Sequence, residues 1–247
     1  MADATSSRAY DGLSPLQKAL IGIVALFVLT IPFFWYLETQ LGVSHFIASN
    51  SMTVVHILCF AGALLMPWLP LRGQRTVTKS QRLDKMIIVW IFICLMPRVW
   101  FELPWLLFLD EIRRGVQEGA LWSYSWSAYL LGGDARYLNG DPLVVTLEVI
   151  ALFVGAFEAW ALWRFFAQGK RFTNIQLSLI MAGMIVEVTL PAVYFGAAIA
   201  SNTATAGSAA DLWIKFVLLN SFWCTMPLVT YFWGVHRLAK QDLTVEF

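Results

Sequence analysis

An all-α, polytopic membrane bundle of six transmembrane helices is the fold class this sequence predicts, on three observations. The 247 residues are 59% hydrophobic and only 13% charged, where soluble domains carry about a quarter charged residues. Six apolar runs approach the roughly 20 residues a helix needs to cross a bilayer. They are 17–38, 51–71, 86–109, 143–166, 175–200 and 212–235. The connections between them alternate in Lys and Arg content, the pattern expected when basic loops stay cytoplasmic. A net charge of +1 speaks against a nucleic-acid-binding surface.

In chain order, residues 1–16 form a short polar tail without the layout of a signal peptide. The first span, 17–38, leads into 38–50, which holds Glu38 but neither Lys nor Arg. After the second span, 71–85 carries Arg72, Arg75, Lys79, Arg82 and Lys85 against the single acid Asp84. The 110–142 connection is too long for a tight turn. Within it Trp122, Trp126 and Tyr129 recur at helical spacing, predicting a short helix on the membrane surface that reads as an aromatic anchor ahead of a substrate gate. Asp141 followed by Pro142 is a helix start, a capping carboxylate and then proline at the first helical position. The 164–174 connection has Arg164, Lys170 and Arg171 and no acid, whereas 201–211 has Asp211 as its one charge. Both termini are therefore expected in the cytoplasm. Cys59, Cys94 and Cys224 fall within apolar runs and read as small buried hydrophobes. No two histidines have ligand spacing, so no metal site is predicted. No phosphate loop or dinucleotide fingerprint is present, and no cofactor is predicted.

Inside these runs lie charges that lipid should exclude: Arg98, Glu102, Glu148, Glu158 and Glu187. A charge at the bilayer centre costs about 3 kcal/mol or more, so it normally faces the bundle interior. Arg98 and Glu102 are one turn apart on one face, bracketed by Pro97 and Pro104. They read either as a self-satisfied ion pair or as one wall of a cavity, and the lipid cost favours the wall. Pro104 frees the carbonyl of Trp100, Pro191 that of Glu187 and Pro227 that of Trp223. Ala151, Gly155 and Ala159 continue the face of Glu148 as a small-residue stripe, suited to close packing or to a ligand. Glu158 points about 80° away from Glu148 and reads as a packing residue. Asn220 and Trp223 share a face of the sixth span, as helix glue or as a ligand contact. His56 could shuttle a proton but reads first as a satisfied structural group. A dry pocket of carboxylic acids and aromatic rings can protonate an alkene or epoxide, hold the cation and remove another proton. That chemistry needs neither metal nor cofactor.

The run Trp126-Ser127-Ala128-Tyr129, Gly133-Asp134-Ala135-Arg136-Tyr137, Gly140-Asp141 and Glu148 resembles the emopamil-binding protein family, the sterol Δ8–Δ7 isomerases with an EXPERA domain. The later helix Phe216-Val217, Asn220, Trp223 and Pro227 is similar to the same family's F-V-x-x-N-x-x-W-x-x-x-P pattern. The resemblance implies a five-helix isomerase-like core over 51–240, with 17–50 as an extra N-terminal helix and loop. It implies catalytic roles for Glu102 and Glu148, and a substrate pocket including Asn220 and Trp223. Arg98 stands where the family has histidine and cannot donate and retake a proton as histidine does. It is expected to join the catalytic group by orienting a glutamate or a substrate oxygen, with Glu187, Trp100 and Tyr137 lining the pocket. The activity implied is a cofactor-independent isomerase or cyclase acting on an oxygenated sterol or terpenoid. Strict Δ8–Δ7 isomerisation and a non-catalytic sterol-binding or trafficking role are the alternatives. The partners implied are the lipid bilayer and the small molecule; an endoplasmic reticulum membrane fits sterol chemistry, and the resemblance allows a homodimer.

Overall fold

The computed structural model describes residues 14–69, 77–200 and 207–245. The polar tail through Leu13, Arg72, Arg75 and most of the small-residue connection, 201–206, lie outside the described residues. The chain is an all-α bundle with six helices long and apolar enough to cross a membrane. They are α1 (Pro15–Leu41), α2 (His45–Trp68), α3 (Lys79–Leu107), α7 (Pro142–Ala167), α8 (Asn174–Ala200) and α9 (Ala209–Lys240). Three short helices fill the long connection: α4 (Leu109–Glu118), α5 (Tyr124–Leu130) and α6 (Ala135–Asn139). Large apolar side chains such as Phe153, Ile199 and Phe232 stand exposed on the outside, as lipid contact requires.

Helix starts follow local capping chemistry rather than the edges of apolar runs. Ser14 and Gln17 form a reciprocal capping box at α1, and Thr78 and Gln81 form another at α3. Satisfying two otherwise orphaned amides starts the helix before hydrophobicity does. The Ser44 hydroxyl likewise accepts from the Ile47 amide, so α2 begins at His45, not at 51. The expected division between 17–50 and 51–240 therefore falls inside a helix. Nor is α1 an appendage. Phe27 stacks on His56 at 3.8 Å, Trp35 Nε1 donates to the Gly119 carbonyl at 2.9 Å, and Glu38 accepts from the Tyr124 hydroxyl at 2.9 Å. The Asp141 carboxylate caps α7 by accepting from the Leu143 and Val144 amides, as the Asp-Pro pair predicts.

The expectation of a surface aromatic anchor needs correcting. Trp122 is exposed, but Trp126 is buried, stacks on Phe101 at 5.8 Å and donates to the Phe101 carbonyl. Helix α5 folds back over the end of the bundle, so its aromatic face serves as a ceiling.

Each end of the bundle is fastened by a buried charge. Lys215 is fully buried, with Nζ 2.9 Å from both Asp211 Oδ1 and Ser49 Oγ. Asn50 donates to the same Asp211 oxygen at 3.0 Å, which ties the start of α9 to α2. Gly132 passes so near that a Cβ there would lie 2.5 Å from Lys215 Nζ. At the other end Arg237 of α9 ion-pairs with Asp84 of α3 and with Asp242. Trp233 Nε1 donates to Asp84 Oδ1 at 2.8 Å. Beyond Arg237 the chain turns back, and the Phe172 and Val245 amides donate to the carbonyls of Leu243 and Lys170.

Removing one partner of a buried pair leaves an uncompensated charge. Asp84→Leu is therefore expected to cost about 3 kcal/mol, whereas Asp242→Ala, at a solvent-facing partner, costs about 1 kcal/mol or less. Midpoints of unfolding in sodium dodecyl sulfate, measured side by side, check both values; equal losses would refute the assignment.

Candidate functional site

Departures from regular helix geometry set the polar side chains. After Pro97, α3 widens into a π turn over Arg98–Glu102, and the Leu103 amide reaches back to the Arg98 carbonyl. Such turns are rare and concentrate at functional sites. A second π turn, Leu212–Leu218, precedes Asn220 in α9. The Asn220 amide nitrogen fills the gap, donating to the carbonyls of Lys215 at 3.3 Å and Phe216 at 2.8 Å. In α8, Pro191 withholds a donor from the Glu187 carbonyl.

These elements line a half-open cavity of about 240 Å³. Arg98, Trp100, Glu102, Tyr137, Glu148, Glu187, Asn220 and Trp223 all line it. Trp100 is the outlying member, with 49% of its surface exposed. Glu102 and Glu148 thus open on one compartment, whereas Glu158 does not line it.

Arg98 and Glu102 do not pair. The wider π turn breaks the one-turn alignment that an α-helix would give them. The Arg98 guanidinium points into the protein instead, and its Nη2 ion-pairs with Glu187. Nε donates to the Ala151 carbonyl at 2.9 Å, and Nη1 donates to the Cys94 carbonyl. Glu158 Oε2 stands 3.8 Å from Nη1, and among the described residues neither Glu158 oxygen has a hydrogen-bond partner. The small-residue stripe has a specific use here: a Cβ at Gly155 would collide with Cδ and Nε of Arg98. With each of its three nitrogens bound to a protein partner, Arg98 is held in place as a positioning group.

The two remaining acids find each other. The carboxyl groups of Glu102 and Glu148 are neighbours in the cavity wall, close enough to share a proton. Two carboxyls side by side can hold one proton between them, which lets one act as an acid and the other as its acceptor. The Tyr137 hydroxyl donates to Glu148 Oε1, and the second Glu102 oxygen, Oε2, is enclosed with no partner. Burial, then the Glu148 carboxylate, push the Tyr137 phenol well above its ordinary range, so it stays a donor.

A tyrosine cluster that sequence reasoning assigned to no site completes the ceiling. Tyr129 and Tyr194 line the cavity, and their hydroxyls are 3.3 Å apart. The Asn220 side chain also reaches the Tyr129 hydroxyl. Tyr194 donates to Asp134, which is bound in turn by Arg136 at 2.7 Å. The Arg136 guanidinium lies over the Tyr194 ring, 4.4 Å from its centre. Asp134, Arg136 and Tyr137 of the G-D-x-R-Y run therefore work together: the first two fix Tyr194, and the third holds Glu148. Thr53 and His56 of α2 also line the cavity; a lone histidine in an apolar run gave no signal that it would.

No family model matches the chain, and no curated protein matches it.

Two outcomes follow from this geometry. Gly155→Ala forces Arg98 off its partners and is expected to destabilise the protein by about 2 kcal/mol, read from detergent unfolding; a neutral result would place Arg98 elsewhere. Tyr129, whose phenol is pushed up to about 12 by burial against the opposing hydrogen bond of Tyr194, should ionise only near pH 12 in a Tyr129→Phe difference titration. Since its folded value lies above the unfolded one, its stabilising contribution is intact below about pH 10 and declines as pH rises towards 12.

Proposed function

We propose that this protein is an integral-membrane isomerase or cyclase that moves a proton on an oxygenated sterol or terpenoid. The observation that supports it is the adjacent Glu102 and Glu148 carboxyls lining one aromatic-walled cavity between membrane-spanning helices. The protonated carboxyl gives its proton to one carbon of an alkene. The π electrons form the new C–H bond, and the adjacent carbon becomes a cation. Faces of Trp223 and the neighbouring aromatics stabilise that cation once water is excluded. A carboxylate of the pair then takes a different proton, and the C–H electrons close the new double bond. Atoms and electrons balance without a redox partner. In a cyclisation a second alkene attacks the cation before the proton leaves.

Arg98 and Glu187 serve this sequence indirectly. Their ion pair fixes the floor of the cavity and occupies one acid, so that the chemistry falls to the other two. Tyr137 orients Glu148 through its hydroxyl. Asn220 lines the cavity with its amide nitrogen engaged by backbone. A location in the endoplasmic reticulum with cytoplasmic termini accords with this chemistry and with the basic 71–85 and 164–174 connections.

The test is turnover in deuterated water with the purified protein and a membrane lipid extract. Mass spectrometry is expected to show a neutral lipid gaining one deuterium at unchanged bond count. Glu148→Gln should reduce the rate by a factor of about 100 or more. Incorporation at the wild-type rate in that variant would overturn the mechanism, and binding with no incorporation by the wild type would leave only a lipid-binding role. A shifted double bond in a Δ8 sterol marks strict Δ8–Δ7 isomerisation.

A further inference from the structure

We propose that Thr53 and His56 form a second binding site in the same cavity, made only of hydrogen-bond acceptors, which takes a hydroxyl group on the substrate remote from the Glu102–Glu148 pair. It rests on the cavity being a substrate site, and it says which kind of oxygen the substrate carries.

The proton inventory of α1 and α2 supports this. His56 Nε2 lies 3.3 Å from the Phe27 carbonyl, which can only accept, so Nε2 carries a hydrogen. The Thr30 hydroxyl, 2.7 Å from the same nitrogen, spends its own proton on the Phe27 carbonyl and accepts from the ring. The neutral ring then keeps a lone pair on Nδ1. Nδ1 has no partner among the described residues, and it is absent from the enclosed, unsatisfied atoms of the interior. Stacking on Phe27 at 3.8 Å fixes the plane of the ring.

Thr53 presents the same polarity. Its hydroxyl donates to the Ser49 carbonyl at 2.9 Å, which leaves only oxygen lone pairs for the cavity. Three residues apart on a helix, Thr53 and His56 face the same way, and both line the cavity. Two acceptors side by side repel a ketone, an epoxide or a carboxylate and call for a donor. In an apolar cavity the donor that costs least to bury is an uncharged hydroxyl.

The site also lies at a useful remove. His56 is about 16 Å along α2 from its first residue, while Glu148 is about 9 Å into α7 from the same end of the bundle. An apolar molecule with its hydroxyl at His56 therefore reaches the carboxyl pair with another part of its skeleton. Arg98 is anchored to protein through each of its nitrogens, whereas the acceptors of Thr53 and His56, unpartnered among the described residues, are matched to a hydroxyl.

The experiment uses the full chain in detergent micelles, incubated with a total lipid extract of eukaryotic membranes, washed, and analysed by mass spectrometry for retained neutral lipids. The same extract, acetylated to cap its hydroxyls, is run in parallel. Retained molecules are expected to carry a free hydroxyl, and capping should lower retention by about tenfold, as should Thr53→Val combined with His56→Phe. The capping arm uses wild-type protein and so does not depend on the variant folding. Retention of a hydroxyl-free lipid, retention unchanged by capping, or no neutral lipid retained would each overturn the proposal. Glu148→Gln separates the two readings, since it should slow deuterium gain by about 100-fold or more while leaving the alcohol bound. An alcohol bound by the wild type without deuterium gain would defeat the isomerase and leave this site standing.

Discussion

A guanidinium closed off from water inside a helix bundle must be matched by fixed partners, and that requirement arranges the centre of this protein. Arg98 draws on three helices: the Cys94 carbonyl within α3, the Ala151 carbonyl and Glu158 of α7, and Glu187 of α8. Gly155 exists in that arrangement as absent volume, since any side chain there would occupy the space of the arginine stem. Once Glu187 is committed to Arg98, Glu102 and Glu148 are left with one another. The division between a charged floor and a proton-sharing pair is thus a consequence of counting partners.

Charges elsewhere in the bundle do a different job. Lys215–Asp211 and Arg237–Asp84 sit near opposite ends of the long helices, each bridging segments far apart in sequence. Both are wrapped in additional hydrogen bonds, from Ser49 and Asn50 at one end and from Trp233 at the other. A buried pair adds little net stability but penalises any register in which it is broken. Such pairs fix how far each helix slides past its neighbour, and the cavity inherits that precision.

The six spans were legible because hydropathy over some twenty residues is a coarse, additive signal. Their ends were not, since Ser14, Ser44 and Thr78 begin helices by hydrogen bonding at polar positions that a hydropathy window rejects. The side chains around the cavity were legible as a set because lipid makes an idle charge costly. Their pairing was not. It depends on a π turn, which no residue spacing announces, and which turned Arg98 away from Glu102 towards Glu187. The ceiling was hidden for another reason: Trp126 and Tyr129 look alike as an interfacial belt and as a buried lid, and only tertiary contact distinguishes them. His56 and Thr53 were passed over because their meaning lies in which atoms are left without protons.

The two π turns also bear on how relatives of this chain could be recognised. Each turn amounts to one residue more than a straight helix of the same span would hold. A π turn takes up that residue locally, so a relative without it can keep the same helix faces on either side of a straight turn, with its hydropathy profile intact. Two proteins with the same pocket could therefore differ by single-residue gaps in the middle of membrane helices, where comparison methods penalise gaps most. Spatial superposition of the cavity walls, rather than gapless spacing of motifs, is the sounder basis for kinship here.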